Sequence, residues 1–90
     1  MKISVVIPVY NSEKIIPIIV KKIVDILIEN SFEIILVNDN SLDGSWNVIK
    51  KLSNIHKNIR GISLNKNYGQ HNAIMAGLNF VNGEIIILMD

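Results

Sequence analysis

The sequence predicts an α/β domain with a doubly wound, mostly parallel sheet, built in the order β-α-β-α-β-α-β. Two observations carry that expectation. Four apolar, largely β-branched runs (residues 3–9, 33–38, 59–64 and 84–89) alternate with three segments of helical periodicity. Clusters of Asn, Asp, Ser and Gly punctuate the joints between them. Alternating strands and helices imply parallel strands with right-handed crossovers, and the doubly wound strand order is 3-2-1-4, with the fourth strand beside the first.

Residues 3–9 form a nearly unbroken apolar run closed by Tyr10-Asn11-Ser12, which reads as a strand buried on both faces. The next segment has apolar residues on most sides and one polar stripe, Lys21, Lys22, Asp25 and Glu29, as expected of a helix pressed on a sheet. Pro17 is tolerated only in a first turn, so the helix starts near Ile16. Residues 33–38 (EIILVN) are a second buried strand, residues 39–44 are turn chemistry, and Asp43 is placed as N-cap of a helix over 44–53. Residues 59–64 carry Arg60 and Gly61, which suits an edge strand. A loop over 65–69 leads to a helix over 70–81 whose apolar positions Ile74, Met75, Leu78 and Val81 follow helical spacing, with Asn82-Gly83 as a left-handed stop. Residues 84–89 (EIIILM) are a fourth buried strand, ending on Asp90. Nineteen isoleucines and twelve asparagines make up about a third of the chain, so isoleucine content alone is weak evidence for strands and position decides.

Composition narrows the function. A chain of 90 residues allows one small domain that buries roughly 60–65% of its unfolded surface. With no cysteine there is no disulfide, thiolate zinc site or cysteine nucleophile. A net charge of +1 gives no basic excess for a nucleic-acid partner. No apolar run reaches the ~20 residues that span a bilayer, and Pro8 interrupts the opening run, so no signal peptide is expected. With no Asn-x-Ser/Thr acceptor either, a cytoplasmic location is expected.

Ligands of such sheets bind beyond the carboxyl ends of the strands, at the point where strand order reverses. Residues 8–13, residues 39–43 and Asp90 all reach that rim. Asp39 can accept hydrogen bonds from the N–H groups of a planar ligand, and Tyr10 offers an aromatic face for stacking. Equally, residues 38–41 (NDNS) read as ordinary turn chemistry. Asp90 is either a metal or ribose ligand or a cap. The loop 66–70 opens a helix, so Lys66 and the loop N–H groups are candidates for phosphate, against the plainer reading of a capped helix start. His56 and His71 lack a second histidine at metal spacing, and Trp46 reads as core. The glycines match neither a G-x-G-x-x-G nor a Walker pattern.

VVIPVYN (5–11), EIILVNDNSLDGS (33–45), LNKNYGQHNAIMAGL (64–78) and GEIIILMD (83–90) resemble, in order and spacing, the first half of a family 2 glycosyltransferase. The resemblance covers essentially all 90 residues, and NYGQHNAIMAGL looks most like the branch acting on undecaprenyl or dolichyl phosphate. It implies the Rossmann-like GT-A fold, an inverting enzyme and a nucleotide-diphospho-sugar donor, with a UDP-sugar expected. By the same resemblance Pro8 and Tyr10 line the base pocket and Asp39 reads the base edge. Asn11, Glu13, Lys66 and Asn67 complete the expected donor contacts. Asp90 matches the first aspartate of a D-x-D motif that contacts ribose and the Mg²⁺ or Mn²⁺ held by the diphosphate.

Three departures qualify this. Ser12-Glu13 stands where many polyprenyl-phosphate members place glutamate two residues after the tyrosine. Asn38 stands where aspartate is common, and the sequence ends on the first aspartate of D-x-D. No catalytic residue is therefore assigned within residues 1–90, taken as the nucleotide-sugar-binding half, and the chain alone is expected to be inactive. Its acceptor is expected to be a polyprenyl phosphate at the cytoplasmic membrane face. Self-association through the bare EIIILM edge is also expected. The rival readings are a non-catalytic nucleotide-binding or interaction module, and a receiver-type domain. The latter wants an acidic pair after the first strand, where this chain has Tyr10-Asn11.

Overall fold

An apolar run on both faces demands a central place in the sheet, and strand β1 (Lys2–Val9) takes it. The computed structural model describes residues 2–89. After β1 come α1 (Ile16–Leu27), β2 (Ser31–Asn38), α2 (Ser45–Ile55), β3 (Ile59–Ser63), α3 (Gln70–Leu78) and β4 (Ile85–Leu88). The strands form one sheet in the order β3-β2-β1-β4, every pair parallel. The predicted architecture and strand order are the observed ones.

Register and the twofold alternation of a strand assign the two faces. Val5 lies beside Ile34 and Ile7 beside Leu36. These four join Val9, Ile16, Val20, Ile23, Ile49 and Ile59 in the core beneath α1 and α2. Val6, Ile35 and Val37 point the other way, onto Ala73 of α3. Ten of these fourteen buried aliphatic residues lie on the α1/α2 face. At about 1.5–3 kcal/mol for each large side chain, that face supplies most of the burial energy. Trp46 packs against it, as expected, above Gly61 of β3, where an added Cβ would lie 2.5 Å from Ile49 Cγ2 and 3.1 Å from Trp46 Cζ3.

Helix α1 carries Pro17 in its first turn, and its exposed stripe holds the Lys21–Asp25 pair at 3.3 Å. Helix α3 makes its closest contact with the sheet through small residues. Ala73 and Gly77 are the buried residues, while Met75 is exposed. An added Cβ on Gly77 would lie 2.5 Å from Val6 Cγ1 and 2.9 Å from Val37 Cγ2. The helix backbone therefore sits directly on the sheet through its small residues, with Leu78 and Val81 packed against the same core and Met75 turned to solvent. The helix also ends at Leu78 instead of reaching Val81, tightening through Asn79 N–H to Ala76 O and Phe80 N–H to Gly77 O.

Asn82-Gly83 is not a left-handed stop; Gly69 is the glycine with positive φ. Gly83 is there for close approach, since a Cβ would lie 2.8 Å from Ser4 N and 2.9 Å from Lys2 O and would collide with Ser4 Oγ. A polar latch forms at this amino-terminal end of the sheet. Buried Ser4 donates its hydroxyl hydrogen to Glu33 Oε2 (2.6 Å) and accepts from Gly83 N–H (2.8 Å). Asn82 N–H donates to the same Glu33 oxygen at 2.6 Å. Strand β4 is the bare edge expected of the EIIILM run and not a strand buried on both faces: Ile85, Ile86, Ile87 and Leu88 are 39–50% exposed, with β1 as its neighbour.

Candidate functional site

At the carboxyl end of the sheet the loops after β1 and β2 are tied to each other. Asn11 and Asn40 both take left-handed backbone angles (φ 48° and 54°), which short polar side chains tolerate, and the chain turns sharply after each strand. Ser41 Oγ accepts from Asn11 N–H (3.1 Å), and Asn11 Oδ1 accepts from Leu42 N–H (2.8 Å). Ser12 N–H donates to Ser45 Oγ at 2.8 Å, and Glu13 N–H donates to Asp43 Oδ2 at 3.2 Å. Asp43 Oδ1 accepts from both the hydroxyl (2.6 Å) and the N–H (2.9 Å) of Ser45. The Ser45 hydroxyl is the main cause that holds the Asp43 carboxyl below its ordinary range; partial burial opposes it, and the N–H groups of Ser45 and Glu13 reinforce it. Asp43 was expected as N-cap, yet Gly44 occupies that place and Asp43 secures the first turn from one residue earlier.

Asn38 ends β2 buried, donating through Nδ2 to Ser63 Oγ (3.0 Å) and accepting from Ser41 N–H through Oδ1 (3.1 Å). An amide serves both contacts, which gives the asparagine a physical role where aspartate was the commoner expectation. Asp39, next along, is 3% exposed. Its Oδ1 accepts from Tyr68 N–H at 2.7 Å and its Oδ2 from Gly69 N–H at 2.8 Å.

These loops border an open cleft of about 390 Å³, lined by Pro8, Val9, Tyr10, Asp39, Asn67, Gly69 and Gln70. That volume lies within the range of small-molecule sites. Four expected site residues, Pro8, Tyr10, Asp39 and Asn67, meet there. Asn11, Glu13 and Lys66 do not line it. Asn11 holds the neighbouring loop, Glu13 lies over Gly44, and Lys66 is exposed. The N–H groups of Tyr68 and Gly69, candidates for phosphate, are instead taken up by Asp39. Asp90, the expected metal and ribose contact, lies outside the described residues.

Among the described residues no three His, Cys, Asp or Glu side chains converge, so the cleft does not by itself supply a cage for a divalent cation. Val9, Gly69 and Gln70 were missed as lining residues. Gly69 carried a signal, a lone glycine directly before a helix, whereas nothing in the sequence marked Gln70. No described helix is long and apolar enough to cross a membrane.

Among known proteins the chain is 44% identical over 92 residues to the undecaprenyl-phosphate 4-deoxy-4-formamido-L-arabinose transferase of Proteus mirabilis (strain HI4320), and equally to that of Yersinia pestis (strain Pestoides F). Each match takes in 99% of this chain and 28% of the relative, so the chain spans little more than a quarter of their length. Among solved structures, S. aureus TarS 1-349 in complex with UDP superposes with a TM-score of 0.77 at 29% identity, over 100% of this chain and 27% of that one. The mannosyltransferase PcManGT from Pyrobaculum calidifontis, solved with GDP-Man and Mn²⁺, shares the fold at 23% identity and a TM-score of 0.72, over 93% of this chain and 25% of that one. The family profile of glycosyl transferase family 2 matches residues 4–90, nearly the whole chain, and the chain belongs to that family.

Proposed function

We propose that the cleft holds the nucleotide part of a nucleotide-diphospho-sugar, with uridine diphosphate as its nucleotide, and that residues 1–90 are the donor-binding half of a glycosyltransferase. The observation that carries this reading is the meeting, in one cleft, of a buried carboxylate, Asp39, with the aromatic ring of Tyr10 and the apolar ring of Pro8. A ring stacked on Tyr10 presents its edge to oxygen acceptors and to the side-chain amides of Asn67 and Gln70. The UDP complex of TarS supports the choice of nucleotide. The undecaprenyl-phosphate transferases support a polyprenyl phosphate as acceptor, at the cytoplasmic face of a membrane.

Mg²⁺ or Mn²⁺ belongs to the same proposal. Its expected protein ligand is Asp90. The described residues do binding work: they stack, read an edge and hold the loops. A phosphate acceptor is already nucleophilic and needs little help from a general base.

Titration of the ¹⁵N-labelled chain with UDP, with and without Mn²⁺, tests the reading. Amide shifts are expected at Tyr10, Asp39, Asn67, Gly69 and Gln70, with Glu33 and Asn82 at the opposite end unmoved. Saturating UDP that leaves the cleft amides in place refutes it.

A further inference from the structure

We propose that Asp39 is a positioning residue that clasps one wall of the cleft to the sheet, and that a ligand binds to this already loaded carboxylate without displacing the loop. The clasp is made of hydrogen bonds within the chain; only the ligand half of the statement rests on the nucleotide reading above.

Residues 65–69 have no regular secondary structure. Their other described hydrogen bonds are local. Tyr68 Oη donates to Asn65 Oδ1 (3.1 Å), Gly69 N–H is shared with Asn67 Oδ1 (3.1 Å), and Asn72 Nδ2 donates to Tyr68 O (2.8 Å). The bonds that reach from this segment to the sheet's rim go to Asp39, one to each carboxylate oxygen, at 2.7 and 2.8 Å. Those are the short distances of charge-assisted hydrogen bonds, roughly twice as strong as neutral ones.

Gly69 makes the convergence of two successive N–H groups geometrically available. Its φ of +90° is a backbone state that side chains disfavour, while the space around it is open, with nothing within 4 Å of an added Cβ. The glycine therefore answers to backbone conformation, not to crowding. Consecutive N–H groups aimed at one anion are a common way for backbone to hold negative charge, and here the anion is the protein's own.

The cleft is lined by Asn67, Gly69 and Gln70 from the loop before α3 and its first residue, and by Pro8, Val9 and Tyr10 from around the end of β1. Asp39, just after β2, ties the first set down. An ionised carboxylate has about four lone-pair directions, and the loop uses two. The remaining two are available to a donor on a ligand, so clasping and ligand contact are compatible at one side chain. Loss of Asp39 then loosens a wall as well as removing a contact, and every ligand of the cleft suffers, whatever its base.

Amide hydrogen exchange of the ligand-free chain, read by NMR, tests the clasp directly. Asp39→Asn keeps the size and places an NH₂ where an acceptor stood. It is expected to speed exchange at Tyr68 and Gly69 at least tenfold, with the core amides of Val6 and Ile35 unchanged. Wild-type rates at Tyr68 and Gly69 in that variant overturn the proposal. If the core amides accelerate too, the fold itself has loosened and Tyr68→Pro decides, because it removes one clasp donor and leaves Asp39 intact. Faster exchange at Gly69 is expected there, and an unchanged rate overturns the clasp.

A second arm compares UDP with CDP, whose ring lacks the N3–H donor of uracil. The clasp predicts that Asp39→Asn weakens CDP as well as UDP, by at least about threefold for CDP. A loss confined to UDP, together with wild-type exchange, overturns it. If neither nucleotide binds the unaltered chain, the nucleotide reading fails while the exchange arm still decides the clasp.

Discussion

At Glu33, burial and hydrogen bonding pull the carboxyl group in opposite directions. Burial raises its proton affinity, but the Ser4 hydroxyl, the Asn82 N–H and the charges of Lys2 and Arg60 together outweigh it and hold the group below its ordinary value of 4.5. A carboxyl lowered by folding contributes stability above its unfolded value, and that contribution is lost as pH falls through the lowered folded value. Unfolding free energy is therefore expected to drop on acidification below about pH 4.5. Glu33→Gln should lose about 1–3 kcal/mol at pH 7 and flatten that slope, measured by urea denaturation across pH. An unchanged slope in the variant would show that other carboxyls carry the effect. Sequence reading placed Glu33 at a strand start and saw no partner for it. Its partners Ser4 and Asn82 come from other elements, 29 and 49 residues away. Pro8, Tyr10 and Asp39 were legible for the opposite reason: strand ends at the switch point must face the ligand side, whichever details follow. Asn11 and Glu13 shared that rim but not the cleft, because a short loop turns its side chains several ways and the sequence does not say which.

Helix α3 separates two effects that sequence reading conflates. Gly77→Ala gains up to about 1 kcal/mol of helix propensity. It also forces a methyl group to within 2.5 Å of Val6 Cγ1, and overpacking of that kind costs about 1–3 kcal/mol. Packing wins, so a net loss is expected in a denaturant melt, and a stabilised variant would mean that the helix lifts freely. The 3.6-residue pattern located this helix and the packed Leu78 and Val81, but it weights large apolar residues and so gave no sign that Ala73 and Gly77 make the buried contact. Strand β4 was correctly read as a strand and as a partner of β1, and its exposure follows from edge position. Beside it lies an apolar groove of about 180 Å³ lined by Val5, Ile23, Ile26, Leu27, Ile87 and Met89. Unprotected apolar edges promote pairing between chains, and lysine on an edge suppresses it. Sedimentation of the 90-residue chain should thus show self-association that Ile87→Lys reduces; a monomeric parent at high concentration would refute this.

The molecule as a whole, 35 × 23 × 20 Å, keeps its polar latch and its cleft at opposite ends of one sheet. Fold order was legible because alternation of strand and helix leaves few parallel topologies, and the family pattern ran through every element. Of the cleft's second wall only Asn67 was legible, because the Asp39 carboxylate joins residues 29 and 30 positions away through backbone N–H groups that carry no side-chain signature. The purified 90-residue chain is expected to release no UDP from a UDP-sugar, with or without Mn²⁺. Metal-dependent release that disappears in Asp39→Ala would refute that. The central place of β1 also governs time. It pairs with β2, which follows after one helix, and with β4, which closes almost the entire chain. Non-local pairings of this kind slow folding, since the loop must close before the contacts reward it. On a ribosome making about 5–20 residues per second, β1 therefore waits seconds with one side unpaired after β2 has docked. That interval is when the half-built sheet is most open to the wrong neighbour.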